Sequence, residues 1–455
     1  MRVILTVEAG PHEGREFAFE QHDTFIVGRA KEAHFQLPFK DKFISRFHFI
    51  VEVNPPQCCL VDMGSTNGTR VNGKRVERGL LADGDRIAAG KTVLRVTVEG
   101  AEAETSAVDD GPAHPEVETV PPGADVSATW LAGSTAAHHP GEATAAACPV
   151  CARPIPSGAG PGLCEACRTQ AEGEGPKVGG YRVLRELGRG GMGVVALALR
   201  EADGAPVALK TITPAFAGAP GLVGRFLREA EILRQLDHPN IVAFRELGEA
   251  DGRLFVAMDY VAGTDAARLL LQHGPLPVAR AVGMTCQLLQ ALDYAHAKRF
   301  IHRDIKPANL LVARVEGREV VRLADFGLAR MYQASRLSGL SFNGQLGGTF
   351  GYMAPEQITH LRDARPPVDQ YAAAATLYKL LTDHGVYDFP TRLERQISMI
   401  LQDDPVPIVN RRPDVPPGLA AVIHRGLARD PAARFADVQE MRRALLPFLG
   451  GSTAR

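Results

Sequence analysis

The sequence predicts a multidomain chain. It should hold an all-β sandwich at the N-terminus, a disordered linker with a small four-cysteine module, and a larger α+β unit at the C-terminus. Three observations predict this. Residues 1 to about 99 alternate apolar and polar positions between Asn-Gly and Asp-Gly turns. Residues 100 to about 146 are rich in Ala, Gly, Pro, Glu, Ser and Thr. Residues 181 to about 449 open with strand-like runs and continue in helical ones. A length of 455 residues fits three such units at roughly 150 residues each.

Composition narrows the function classes. The 51 Lys and Arg balance 52 Asp and Glu, so there is no global basic field for nucleic acid or anionic lipid. No run reaches the ~20 apolar residues of a membrane span. The longest, Ala372 to Leu381, is short and holds Thr376, Tyr378 and Lys379. The opening MRVILTVEAG lacks the apolar core and cleavage pattern of a signal peptide. Seven cysteines, odd in number and unevenly placed, argue against a secreted disulfide framework. The expected location is the cytoplasm.

In the first unit Val3, Leu5 and Val7 alternate, as do Phe17 and Phe19, and a further strand-like run covers Val93 to Val98. Asn67-Gly68, Asn72-Gly73 and Asp83-Gly84 punctuate the runs as turns. Between strands fall Gly28-Arg29, Ser45-Arg46-Phe47-His48 and Ser65-Thr66-Asn67-Gly68-Thr69. Together, in this order, the set resembles the forkhead-associated (FHA) domain, which binds phosphothreonine peptides. The resemblance implies that Arg29 and Arg46 supply cations and Ser45 a hydroxyl. Thr66 and Asn67 would offer a hydroxyl and an amide to phosphate and peptide backbone. Gly28 and Gly68 suit tight turns. His48 is expected to brace the loops without touching phosphate. Of Cys58 and Cys59, one should face the core and one the surface.

The linker, residues 100 to 146, has too little apolar surface to offset its ordering entropy. Over residues 147–170, Cys148-Pro149-Val150-Cys151 and Cys164-Glu165-Ala166-Cys167 form two C-x2-C pairs. Such knuckles can bring four thiolates into a tetrahedron around structural Zn2+, a zinc-ribbon-like module with no open coordination position. Free thiols or a redox pair of disulfides are the alternatives. Cys286 lies in a helical pattern and should be core.

The third unit carries separated motifs. Gly188-Arg-Gly190-Gly-Met-Gly193-Val-Val195 is a G-x-G-x-x-G-x-V run. Alone it fits a turn or a dinucleotide site, but the latter should open a helix, and Val194 to Leu199 reads as a strand. Lys210 ends the apolar run Val207-Ala-Leu-Lys210, where an unpaired ammonium is costly. Glu229 is the expected partner, with Glu231 competing. His302-Arg303-Asp304-Ile-Lys306-Pro-Ala-Asn309, Asp325-Phe326-Gly327 and Gly348-Thr349-Phe-Gly-Tyr-Met-Ala354-Pro355-Glu356 follow.

In order, spacing and identity these motifs resemble the signature of protein kinases, specifically the bacterial eukaryotic-like (Hanks-type) Ser/Thr kinases. The resemblance implies a bilobal α+β kinase fold using ATP with Mg2+ or Mn2+. Gly188, Gly190, Gly193 and Val195 would close over ATP. Lys210 would hold its α- and β-phosphates and be oriented by Glu229. Met258 would be the gatekeeper, and Asp259 to Val261 the hinge that meets adenine. Asn309 and Asp325 would hold Mg2+. Asp304 would accept the proton of the incoming hydroxyl, and Lys306 would neutralise charge on the transferred phosphoryl group. Asp369 would brace the catalytic loop, Arg434 would pair with Glu356, and Thr349 would belong to the substrate platform. Two departures touch no chemistry: Asp259 stands where Glu is frequent, and the helix after Asp369 has Ala where Gly is often found.

The expected function is Ser/Thr protein phosphorylation with phosphothreonine recruitment. The alternative is a non-catalytic phosphopeptide scaffold. Expected partners are Ser/Thr protein substrates and phosphothreonine proteins, or the chain's own phosphorylated linker, without nucleic acid or a membrane span. Arg303 implies an activation loop ordered by phosphate, with Ser341 as the candidate site. Ser341 has a simpler reading, as one of the residues that solubilise that loop. Thr119, beside Glu116 and Glu118, is the candidate linker site for the N-terminal module; recruitment of an external phosphorylated substrate is the competing role.

Overall fold

The computed structural model describes residues 2–21, 23–38, 43–55, 57–99, 148, 150, 153, 164–172, 175–190, 193–212, 234–326, 350–359 and 364–450. The expected disordered linker, with Thr119, lies outside them, as do Cys151, Glu229, Glu231, Gly327, Ser341 and Thr349.

The N-terminal unit is a two-sheet sandwich of eleven strands. They are β1 (Arg2–Ala9), β2 (Glu16–Phe19), β3 (Asp23–Gly28), β4 (Phe35–Gln36), β5 (Phe49–Asn54), β6 (Gln57–Asp62), β7 (Thr69–Val71), β8 (Lys74–Val76), β9 (Arg78–Leu81), β10 (Arg86–Ala89) and β11 (Thr92–Glu99). One sheet runs β2-β1-β11-β10-β7-β8 and the other β4-β3-β5-β6-β9. The alternating Val3, Leu5 and Val7 meet Phe25, Val27, Phe49 and Val51 in one core. Asn72 and Gly73, both at positive φ, form the two-residue turn that joins β7 to β8.

Cys58 and Cys59 do not divide between core and surface: both are buried. Cys58 joins the sandwich core, and the Cys59 thiol donates to the Leu60 carbonyl at 3.8 Å. Burial pushes the Cys58 thiol up to about 12. Period-two alternation gave each residue its face but could not show that the outer face is covered.

The C-terminal unit has two lobes. The first is an antiparallel sheet in the order β12-β13-β14-β15-β17-β16. Its strands are β12 (Lys177–Val178), β13 (Tyr181–Gly190), β14 (Gly193–Arg200), β15 (Pro206–Ile212), β16 (Phe244–Ala250) and β17 (Arg253–Asp259). Before it lies α1 (Glu165–Glu172), packed against β13. The second lobe is helical: α2 (Ala266–His273), α3 (Val278–Ala297), α4 (Pro355–Thr359), α5 (Pro367–Thr382), α6 (Leu393–Gln402), α7 (Ile408–Arg411), α8 (Pro417–Gly426) and α9 (Val438–Leu445). A small sheet of β18 (Gly263–Asp265), β19 (Leu310–Val315) and β20 (Arg318–Leu323) lies at the junction.

Local chemistry sets these boundaries. Buried Asp265 caps α2 by accepting the Arg268 N–H at 2.9 Å, and Gly274 ends that helix at positive φ. Asp437 caps α9 through the Glu440 N–H, while the Glu440 carboxylate takes the Ala436 N–H, each at 2.7 Å. Pro367 occupies the first turn of α5. Ala372 to Leu381 is the buried centre of that helix, and no described helix is long and apolar enough to cross a membrane.

Candidate active site

The glycine-rich turn joins β13 to β14, with Gly190 opposite Gly193. Gly193 sits at φ +144°, and a Cβ there would lie 1.8 Å from the Thr211 carbonyl oxygen, so only glycine fits. Register then assembles the nucleotide side. Val195 stands opposite Lys210, and Lys210 opposite Val256. Met258 is buried opposite Ala208. Asp259 closes β17. Its N–H goes to the Ala243 carbonyl and its carboxylate to Arg245, leading into the connection through Val261.

The Lys210 side chain is 4 % exposed and its ammonium lies 3.1 Å from Asp325 Oδ1. The sequence pointed to Glu229 as its partner. Among the described residues the partner is Asp325, a pairing that strand periodicity cannot show.

The loop from His302 to Asn309 is held from behind. Asp369, fully buried at the start of α5, accepts the His302 and Arg303 N–H groups at 2.9 Å each and faces His296 Nε2 at 2.8 Å. Burial alone would raise its pKa, but the His296 hydrogen bond and charge, the His302 charge and the Arg303 N–H outweigh burial and hold it below the ordinary aspartate value. His302 faces the Ala324 carbonyl at 2.9 Å and packs edge-on against Phe326. The segments that carry Asp304 and Asp325 are thereby joined. Arg303 (φ +69°) and Asp325 (φ +62°) are both left-handed, a cost tolerated where surrounding contacts fix the backbone.

Asp304 lies among the other expected groups. Lys306 Nζ is 3.2 Å from its Oδ2, and Asn309 Nδ2 donates to its carbonyl at 2.7 Å and to Oδ2 at 3.1 Å. Its other oxygen, Oδ1, is buried with no hydrogen-bond partner among the described residues. Arg434 forms a bidentate pair with Glu356, one arm at 2.8 Å, and anchors α4. Gln357 in α4 donates to the Arg303 carbonyl at 3.0 Å.

The N-terminal loops gather a second site. Arg29 follows β3, and the Arg29 and Ala30 N–H groups go to the Ser45 and Arg46 carbonyls. Gly28 is needed for close approach rather than for a turn: a Cβ there would meet the Arg46 carbonyl oxygen at 2.2 Å. Ser45 Oγ accepts the Thr66 N–H at 3.2 Å, and Asn67 donates to the Phe43 carbonyl at 3.0 Å. Arg46, Thr66 and Asn67 are exposed. Fully buried His48 takes the Ser45 N–H at 3.1 Å and lies 3.4 Å from the Gly68 carbonyl, behind the loops. The sequence reading missed Asp62. Its carboxylate accepts the Ser65 N–H at 2.8 Å and the Ser65 and Thr69 hydroxyls at 2.6 Å each, fixing the Ser65 to Thr69 loop. An aspartate ending an apolar strand just before a Ser/Thr-rich turn was the available clue.

The Sγ atoms of Cys148, Cys164 and Cys167 lie within 4.8 Å of one another, all buried. Cys148 Sγ accepts the Cys164 N–H at 3.3 Å, and three converging thiols suit a soft ion. Beside these cysteines, Tyr260 donates its hydroxyl to the Val150 carbonyl at 3.0 Å.

Two family models match stretches of this chain. The FHA domain model matches residues 25–90, and the protein kinase domain model matches residues 181–445. Serine/threonine-protein kinase PknD of Mycobacterium tuberculosis is 41% identical over 262 residues, 57% of this chain and 38% of PknD. Serine/threonine-protein kinase PknF of the same organism is 38% identical over 283 residues, 61% of this chain and 58% of PknF. The chain thus spans between 38% and 58% of the length of these two curated relatives. The solved structure of Rad53 1-466 in complex with AMP-PNP shares the fold. It has a TM-score of 0.50 and 19% identity, and the match covers 99% of this chain and 100% of that one. Because the kinase match alone exceeds half of its length, the chain belongs to the protein kinase domain family.

Proposed function

We propose that this chain is a Ser/Thr protein kinase whose FHA domain binds phosphothreonine peptides. The observation that carries the reading is the unpartnered buried oxygen of Asp304, flanked by Lys306 and Asn309. A substrate hydroxyl donating to Oδ1 would satisfy a buried acceptor that is otherwise costly to leave alone.

In transfer, the substrate oxygen forms a bond to the γ-phosphorus of ATP. The bond from that phosphorus to the ADP oxygen breaks, and the hydroxyl proton passes to Asp304. Lys306 faces the charge that develops on the phosphoryl oxygens. Lys210 would hold the α- and β-phosphates, exchanging Asp325 for them. Val195 and Met258 would wall the base, and the Asp259 to Val261 backbone would meet its edge. Gly188, Gly190 and Gly193 let the turn approach the phosphates. Asp325 and Asn309 are the residues that would hold Mg2+, which supplies charge neutralisation across the β- and γ-phosphates when bound.

Arg29 and Arg46 would pair with a phosphothreonine dianion, Ser45 and Thr66 would donate to it, and Asn67 would hold the peptide backbone. The buried thiols of Cys148, Cys164 and Cys167, with Cys151, would bind Zn2+ structurally. The residues available fit a soft, closed site. Ser341 and Thr119 are proposed autophosphorylation sites, and the cytoplasm is the proposed location.

The test incubates the purified chain with Mg2+ and labelled ATP beside Asp304→Asn and maps phosphate by mass spectrometry. Labelling of the parent alone is expected. ATP binding without labelling in either chain would sink the catalytic reading and favour the scaffold. The mapped positions decide Ser341 and Thr119 directly.

A further inference from the structure

In a two-sheet sandwich each strand buries one face against the other sheet and leaves the opposite face to solvent. β3 and β5 break this rule. Phe25, Val27, Phe49 and Val51 point inward, yet Ile26 and Ile50, register partners on the opposite face, are also 0% exposed. With Ala30, Ala33, Phe47 and Met63 they form one apolar cluster continuous with the core of the helical kinase lobe. The covering elements are close at hand. α4 packs against β3. The Arg395 side chain of α6 comes within 3.7 Å of where a Gly64 Cβ would lie. At the rim, Arg392 sits 3.7 Å from Glu77.

Both sides of this interface lead to a site. On the kinase side, α4 is tied to the catalytic loop by the Gln357 bond to the Arg303 carbonyl, next to Asp304. On the sandwich side, buried Phe47 stands between exposed Arg46 and bracing His48. Met63 and Gly64 run directly into Ser65 and Thr66. The recognition loops therefore emerge from the interface itself. A phosphothreonine held there has a fixed position relative to Asp304, which a linker alone would not impose.

We infer that the substrate class is a peptide already phosphorylated on threonine. Its phosphothreonine sits in the N-terminal loops, and a Ser or Thr at a set distance along the same peptide reaches Asp304. The inference rests on the reading above, of a kinase with phosphothreonine-binding loops. It adds a geometric demand. Tethering by a flexible linker would favour primed substrates over a broad range of spacings, whereas a docked domain favours a narrow band.

The experiment uses the full chain and synthetic peptides. Each carries one phosphothreonine and one acceptor serine, separated by Gly-Ser spacers of increasing length, beside a matched series with unmodified threonine. The expected result is a KM lower by roughly tenfold or more for primed peptides within a narrow band of spacers, with kcat about unchanged. Ile50→Glu and the milder Ile26→Ala should flatten the band. Binding of a phosphopeptide, read by fluorescence anisotropy, and kcat on unprimed peptide should persist, which shows that both domains remain folded. Transfer and binding without a priming advantage would overturn the inference alone, as would an advantage equal at every spacer length. Transfer to no peptide, or no phosphopeptide binding, would overturn the underlying reading and this inference with it.

Discussion

The proposed catalytic cleft and the proposed recognition loops keep their buried groups in different places. In the cleft, Lys210 and Asn309 are buried, and Asp304, Lys306 and Asp325 are half-buried. Arg303 and Asp325 hold left-handed backbone there. In the loops, Arg46, Thr66 and Asn67 are exposed, and the buried groups stand one layer behind, at His48, Asp62, Ser65 and Thr69. The difference follows from the tasks. Charge that develops only in a transition state is stabilised best by fixed dipoles in a water-poor site. A phosphopeptide must arrive and leave, so its contacts stay open to water and the rigidity moves to their supports.

Changes in the cleft should therefore lower kcat, and changes in the loops should weaken binding alone. The largest effect expected is Asp304→Asn, with kcat down about 10²- to 10⁴-fold and phosphopeptide affinity unchanged. Loss of affinity as well would mean that the two sites are not separable. Next is Asp369→Asn, which strips a buried carboxylate from its donors. Breaking such a set costs about 3–5 kcal/mol, read as a lowered Tm together with reduced kcat. Because the Asp369 carboxyl is held below its ordinary value, its stabilisation is complete above about pH 4 and fades as pH falls through the lower folded value. The Tm curves of parent and Asp369→Asn should converge in acid, and parallel curves would refute that assignment.

In the loops, Asp62→Ala should weaken phosphopeptide binding by about tenfold and lower the Tm, since it leaves the Ser65 and Thr69 hydroxyls without their acceptor. Arg46→Ala should weaken binding comparably with the Tm unchanged. Equal Tm changes for the two would erase the distinction between contact and support. The smallest effect is expected at the cysteine module. Cys164→Ser should raise KM for ATP by roughly threefold with kcat held, because Tyr260, in the proposed hinge, donates to the Val150 carbonyl beside the cysteines. An unchanged KM would detach the module from nucleotide binding.

The parts of the molecule that could be read in advance are those written locally. Lys210, Asp304, Asn309 and Asp325 stood out because each lies in a short local motif, and of these Asp304 and Asn309 meet within one loop. The strands that bear Val3, Phe17 and Val96 followed from alternation, and α3 and α9 from helical spacing. The unread parts join distant segments. Nothing near Lys210 points to Asp325, and Asp62 looks like any strand-ending aspartate until its three bonds are seen. Alternation assigns Ile26 and Ile50 to an outer face but cannot say that a helix more than three hundred residues later covers it. The Tyr260 bond to Val150 is equally invisible, because a carbonyl carries no sequence mark.

The alanine run of α5 has one more consequence. A Cβ on Gly426 in α8 would lie 2.8 Å from the Cβ of Ala374, so the two helices have room between them for a single methyl. The alanine run thus faces a glycine across the crossing. The pair behaves as one steric unit whose total size is fixed while its division is free. Ala374→Gly should tolerate Gly426→Ala, although Gly426→Ala alone forces the helices apart. Across relatives the two positions should covary inversely, and a variant at either one has to be interpreted with its neighbour's identity in hand.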